Sequence, residues 1–117
     1  LAVLEELELR NLVAEAERKG TLFREALESI QKQFPDRVSW ILGKGLIMAM
    51  LFKDPETGRS DGPFTSRVAE RCMQKGVLVV HTGRESIKLG PPLTINDEAL
   101  LEGVAVLAES IAEVATE

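Results

Sequence analysis

The chain contains one cysteine, Cys72, so no internal disulfide can form. A lone thiol suits a reducing compartment, and a cytoplasmic location is the expectation. No apolar run approaches the roughly 20 residues a bilayer-spanning helix needs; the longest covers residues 46–52. No basic stretch followed by an apolar one opens the chain, so no secretory signal is visible and no membrane partner is expected. Lys and Arg are scattered and the net charge is -5, which argues against a nucleic-acid partner. There is no metal-ligand spacing, no nucleophile elbow and no phosphate loop. The only histidine, His81, has no Cys, Asp or second His at ligand spacing and is expected to face solvent in a loop just past a strand. An initiator methionine is also missing. The chain begins at Leu1 inside a helical pattern with Leu4 and Leu7, with no turn or cap ahead of it, and is expected to be a cut piece of something longer.

What remains is enough for one folded unit. The 117 residues fit a single domain, and 44% hydrophobic content can fill a core at that size. Residues 1–34 read as helix, in two parts meeting near residues 9–11. Leu12, Ala16, Phe23, Leu27, Ile30 and Phe34 recur at helical spacing and are expected to face the core, and Pro35 ends the helix. Strands are predicted over 38–42 and 46–52, joined through Gly43-Lys44-Gly45, where either glycine can take a positive φ. Turn chemistry from Asp54 to Gly58 leads into a loop reaching Pro63. A helix over 64–75 turns Val68 and Cys72 or Met73 inward and stops at Gly76. Short strands over 77–80 and 86–89 follow, and then a last helix capped by Asn96 or Thr94, with Leu100, Val104, Leu107, Ile111 and Val114 as its apolar stripe. Paired strands between helices predict an α+β fold: a largely antiparallel sheet of about four strands with helices packed on one face.

Two features bear on function. Residues 46–52 and 77–80 are apolar at every position, so both faces of those strands are expected to be buried, one by the helices and the other by something outside the chain. In Ser86-Ile87-Lys88-Leu89, strand alternation puts Ile87 and Leu89 on the helix side and Ser86 and Lys88 on the other. A lysine on a covered face needs an anionic partner; a sheet-edge lysine in water is the equal alternative. Cys72 reads as core, Trp40 as a core or interface anchor, and Gly43-Lys44-Gly45 as a hairpin rather than a phosphate cradle.

Four stretches then carry a resemblance. Gly43-Lys44-Gly45-Leu46-Ile47-Met48-Ala49, Phe52 to Gly58, Gly76 to Val80, and Ile87-Lys88-Leu89-Gly90-Pro91-Pro92-Leu93-Thr94-Ile95 are similar, in order and spacing, to the C-terminal part of class III aminotransferases. These are fold type I pyridoxal-phosphate enzymes such as 4-aminobutyrate, ornithine and acetylornithine aminotransferases. The resemblance covers essentially the whole chain and is most specific at Pro-Pro-Leu-Thr-Ile. It implies that residues 1–117 form the small, substrate-closing domain, with 1–10 the end of the interdomain helix. Pyridoxal 5'-phosphate and the Schiff-base lysine belong to a large domain absent from this sequence, so the piece alone is inactive and no catalytic or cofactor-binding residue is expected in it. The implied reaction of the full chain, a homodimer, moves an amino group between an amino acid or amine and a 2-oxo acid.

Many members grip the substrate carboxylate with an arginine where this sequence has Lys88, and Leu42 stands where many have another arginine. An ammonium is a point charge and cannot reproduce a guanidinium's two parallel bonds. Lys88 is nevertheless the expected carboxylate contact, with Ser86 and Arg84 as weaker candidates. A decarboxylase or aminomutase could share the domain. The rival from another class is a stand-alone, non-catalytic α+β binding module.

Overall fold

A computed structural model describes residues 2–77, 79–81, 86–91 and 95–117. It shows α1 (Ala2–Gln33), β1 (Val38–Lys44), β2 (Ile47–Phe52), α2 (Gly62–Gln74), β3 (Val80–His81), β4 (Ser86–Leu89) and α3 (Asp97–Ala115). The fold is α+β, as the sequence predicts. Strands β1, β2 and β4 carry the sheet, and the two-residue β3 adds a short edge, giving the order β1-β2-β4-β3 with every pair antiparallel.

All three helices lie on one face, and the core fills the space beneath them. Strand β2 sends Met48, Met50 and Phe52 inward, and β4 sends Ile87 and Leu89. They meet Phe23, Leu27 and Ile30 of α1, Phe64, Val68 and Cys72 of α2, and the complete predicted stripe of α3. Burying each large side chain contributes roughly 1.5–3 kcal/mol. The rings of Phe52 and Phe64 meet edge to face with centroids 5.5 Å apart. On the second side of Phe64, the Arg37 guanidinium lies 4.1 Å from the ring centre and bonds Asp61 at 3.2 Å. Asp61 also caps α2 by accepting from the Phe64 amide. That cap, with Pro63 in the first turn, starts α2 at Gly62, earlier than the predicted Phe64.

Several expectations are corrected. Helix α1 is continuous, with no break near residues 9–11, because no proline interrupts it and Asn11 tolerates a helix interior. Its 32 residues extend about 48 Å, so the first half runs past the sheet. Leu12, predicted to be core-facing, is therefore exposed along with Leu9 and Val13. Cys72 rather than Met73 points inward, and Met73 is exposed. Asn96 caps α3 by accepting from the Ala99 amide, while Thr94 lies outside the described residues. The strand predicted over 77–80 shrinks to Val80–His81, and His81 lies within it, paired with Ile87, instead of in a loop past its end. Val77 leaves the ladder because its amide bonds back to the Cys72 carbonyl, finishing the exit from α2. Leu78 and the 82–85 turn lie outside the described residues.

The β1–β2 hairpin explains its glycines. Gly43 has φ 139°, and a Cβ there would come within 2.2 Å of the Ile47 carbonyl oxygen. Strand β1 runs through Lys44 before turning, and its outer edge lies beside α1. Arg24 donates to the Gly43 and Ile41 carbonyls and Gln31 to the Ser39 carbonyl, so α1 satisfies a strand edge that could otherwise recruit another strand.

Candidate functional site

The second face of the sheet is the one the helices leave open. Burial along β2 alternates: positions 48, 50 and 52 are buried, Ile47 is 72% exposed, and Ala49 and Leu51 are half-buried. Among the described residues the helices bury one face of β2 and no helix crosses to the other, the face expected to be covered from outside the chain. Trp40 is 64% exposed there and is not a core residue. A bulge between Val38 and Trp40 shifts the alternation so that Val38 and Ile41 both point inward while Trp40 and Leu42 point out.

Register places these residues in rows. Leu42 pairs with Ala49, Ala49 with Lys88 and Lys88 with Val80, forming one row across all four strands. Trp40, Leu51 and Ser86 form the next row, and Lys44 with Ile47 a shorter one. Lys88 is exposed between buried Ile87 and Leu89, as strand alternation predicts. Ser86, half-buried, shares its face two residues away. The structure thus brings Lys88 and Ser86 together, whereas Arg84 lies outside the described residues. The four strands contain no Asp or Glu, and among the described strand residues the open face carries Lys44 and Lys88.

Other polar groups are engaged elsewhere. Arg71 bonds Glu113 and Glu117, and Lys75 bonds Glu109 and Glu113, tying α2 to α3. These partners raise both cations above their ordinary range and lower the Glu113 carboxyl. Arg18 reaches Asp97 at 2.8 Å, joining α1 to the first turn of α3. The Cys72 thiol is pushed up by burial, against a hydrogen bond with Ser110 and the nearby Lys75 charge, and so is held away from its reactive form. An apolar cavity of about 380 Å³ under the sheet, between Phe23, Leu89, Leu100 and Leu107, is lined by no titratable side chain among the described residues. No group of three metal-ligating side chains occurs among them either. Sequence reasoning missed the edge contacts of Arg24 and the α2–α3 ion pairs. The i,i+4 spacing of Arg71 and Lys75, and of Glu109, Glu113 and Glu117, was the available signal.

The described residues do not form a cradle for pyridoxal phosphate. Lys75 is held by two glutamates, and Lys44 and Lys88 stand on strands with no carboxylate to pair with a pyridine nitrogen.

Comparison with known proteins places this geometry. The family model "Aminotransferase class-III" matches residues 1–111, and the chain belongs to that family. It is 32% identical over 115 residues to a leucine/methionine racemase of Thermococcus litoralis, covering 97% of this chain and 26% of that protein. It is 30% identical over 97 residues to a mitochondrial acetylornithine aminotransferase of Candida glabrata, covering 83% and 21%. Among solved structures, an acetylornithine aminotransferase from Elizabethkingia anophelis superposes with a TM-score of 0.76 at 29% identity, covering 96% of this chain and 27% of that one. The chain therefore spans about a quarter of the length of the relatives it matches. No described helix is long and apolar enough to cross a membrane.

Proposed function

We propose that this chain is the C-terminal, substrate-closing small domain of a pyridoxal-phosphate-dependent transaminase and is inactive without the large domain that holds the cofactor. The full enzyme moves an amino group between an amino acid or amine and a 2-oxo acid; it is a homodimer in the cytoplasm, although the Candida relative is mitochondrial. The observation that carries this reading is a class III match over residues 1–111 combined with the exposed Lys88 on the sheet face that no described helix covers. The family is pyridoxal-phosphate-dependent, and the cofactor supplies the electron sink when bound. What this chain supplies is orientation. Strand β4 is fixed by Ile87 and Leu89 in the core, so the Lys88 ammonium is presented from a rigid base to a substrate carboxylate, with Ser86 beside it and Arg84 as a further candidate. The match to a protein named as a racemase favours a second reading, other amino-acid chemistry on the same scaffold; decarboxylase and aminomutase activities belong to that class. The quarter-length match favours part of an enzyme over a stand-alone binding module.

The test is Lys88→Ala in the full-length enzyme. A charge-assisted bond in a closed site contributes about 1.5–3 kcal/mol. The expected result is a fall of roughly one to two orders of magnitude in kcat/KM for substrates carrying the carboxylate, with amines lacking it spared and Tm unchanged. Equal losses for both substrate types, or a collapse of Tm without selectivity, sinks the role of Lys88.

A further inference from the structure

We propose that Trp40 is the anchor by which the open sheet face docks on the large domain absent from this sequence. This rests on the reading of the chain as part of a longer transaminase. The indole is the largest side chain on that face and stands 64% exposed, although burying a ring of its size is strongly favourable. A bulge puts it there. Without one, strand alternation would turn Trp40 to the same side as the buried Val38. Ser39 is the extra residue, since Val38 pairs with Phe52 and Trp40 with the adjacent Leu51. The Ser39 hydroxyl donates to the Leu51 carbonyl at 3.2 Å, and Gln31 of α1 donates to the Ser39 carbonyl at 3.1 Å. Two side chains thus hold the bulge from opposite sides, and its product is an indole aimed away from the core. Leu51 across the pair is half-buried and Leu42 along the strand is exposed, so its neighbours on the face are apolar. Trp is among the residues enriched at the energetic centre of interfaces.

Length and charge select the occupant. The chain spans about a quarter of the relatives it matches, so most of each relative lies outside the matched part. A tethered domain meets this face at an effective concentration on the order of millimolar, ahead of a free partner. A second copy is disfavoured. Two such faces together would set Lys44 and Lys88 against the same lysines, with no Asp or Glu on the described strands to offset them.

The experiment is hydroxyl-radical footprinting of the full-length holoenzyme, read at Trp40 by peptide mass mapping, with the urea-unfolded enzyme as reference. A docked indole, shielded from water, is expected to oxidise at least about tenfold more slowly in the native enzyme than in the unfolded one, whereas 64% exposure allows a slowing of less than about twofold. A slowing short of tenfold overturns the proposal. Trp40→Ala and Trp40→Phe then test the role and the occupant by Tm and sedimentation velocity. Trp40 contributes little to this chain's own core, so a loss of Tm reports contacts from outside it. Trp40→Ala is expected to lower the Tm of the full enzyme by about 2–4 °C with sedimentation unchanged, and Trp40→Phe to recover most of that loss. An unchanged Tm overturns the anchor, and loss of subunit assembly assigns the face to a second copy and overturns the proposal as well. The footprint needs no variant, so it decides the matter even if Trp40→Ala does not fold. Neither readout is turnover. A protected Trp40 in an enzyme without transaminase activity sinks the function alone, and an active transaminase with Trp40 in water sinks the anchor alone.

Discussion

The two faces of β2 have nearly the same composition and opposite fates. Met48, Met50 and Phe52 are buried under three helices; Ile47, Ala49 and Leu51 of the same strand remain open or half-open. Apolar content alone therefore did not decide which side became core. What decided it was where α1, α2 and α3 could pack, and all three pack on one side. The residues left over are apolar without contributing to this chain's core, which makes the open face a surface shaped for something else.

Breaking that contrast gives the largest expected effect. Phe52 is fully buried and edge-on to Phe64, so Phe52→Ala should cost about 3–5 kcal/mol. Ile47, equally apolar but largely in water, should change stability by less than about 0.5 kcal/mol as Ile47→Ala. Urea unfolding of the two variants measures both. If Ile47→Ala costs as much as a core truncation, the open face is already packed in the free chain and the contrast is wrong.

Much of this architecture was legible in the sequence. The stripe of α3 was readable because five residues at helical spacing all reached the core, and β4 because Ser86-Ile87-Lys88-Leu89 alternates cleanly. Lys88 was legible for the same reason, since period two leaves it only one side. Which side of β2 meets the helices was not legible, because a continuous apolar run looks the same on both sides. Leu12 was misplaced because helical spacing reports a face but not how far the neighbouring sheet extends along it. The cap at Asp61 was missed because Gly62 and Pro63 look like loop, although a proline in the first turn is compatible with a helix start.

A smaller effect sharpens the comparison at the sheet edge. Arg24 closes the outer side of β1 by donating to the Gly43 and Ile41 carbonyls. Arg24→Ala should cost about 0.5–1.5 kcal/mol, read as a shift in the urea midpoint with unchanged slope. The edge it leaves open is next to the apolar face, so the variant should also sediment with more self-associated material than the parent. A stability loss without added association would mean that α1 shields the edge by its bulk and not by these two bonds.

The smallest effect concerns the ion pairs between α2 and α3, far from the open face. Lys75 and Arg71 hold the Glu113 carboxyl below its ordinary value of 4.5. A carboxyl with a lowered folded value binds fewer protons than its unfolded counterpart, so its contribution is fully present above about pH 4.5 and fades as pH falls through the folded value. Glu113→Gln removes that titration while keeping the side chain's size. The variant should lie slightly below the parent in Tm at pH 7, and the gap should close as the pH is taken below 4.5. Because both partners are partly solvated, 0.5 M salt should shrink the pH 7 gap as well, through screening of the surface charges. A gap that stays constant from pH 7 to pH 3, or that is indifferent to salt, would show that Glu113 supports α3 by packing rather than by charge.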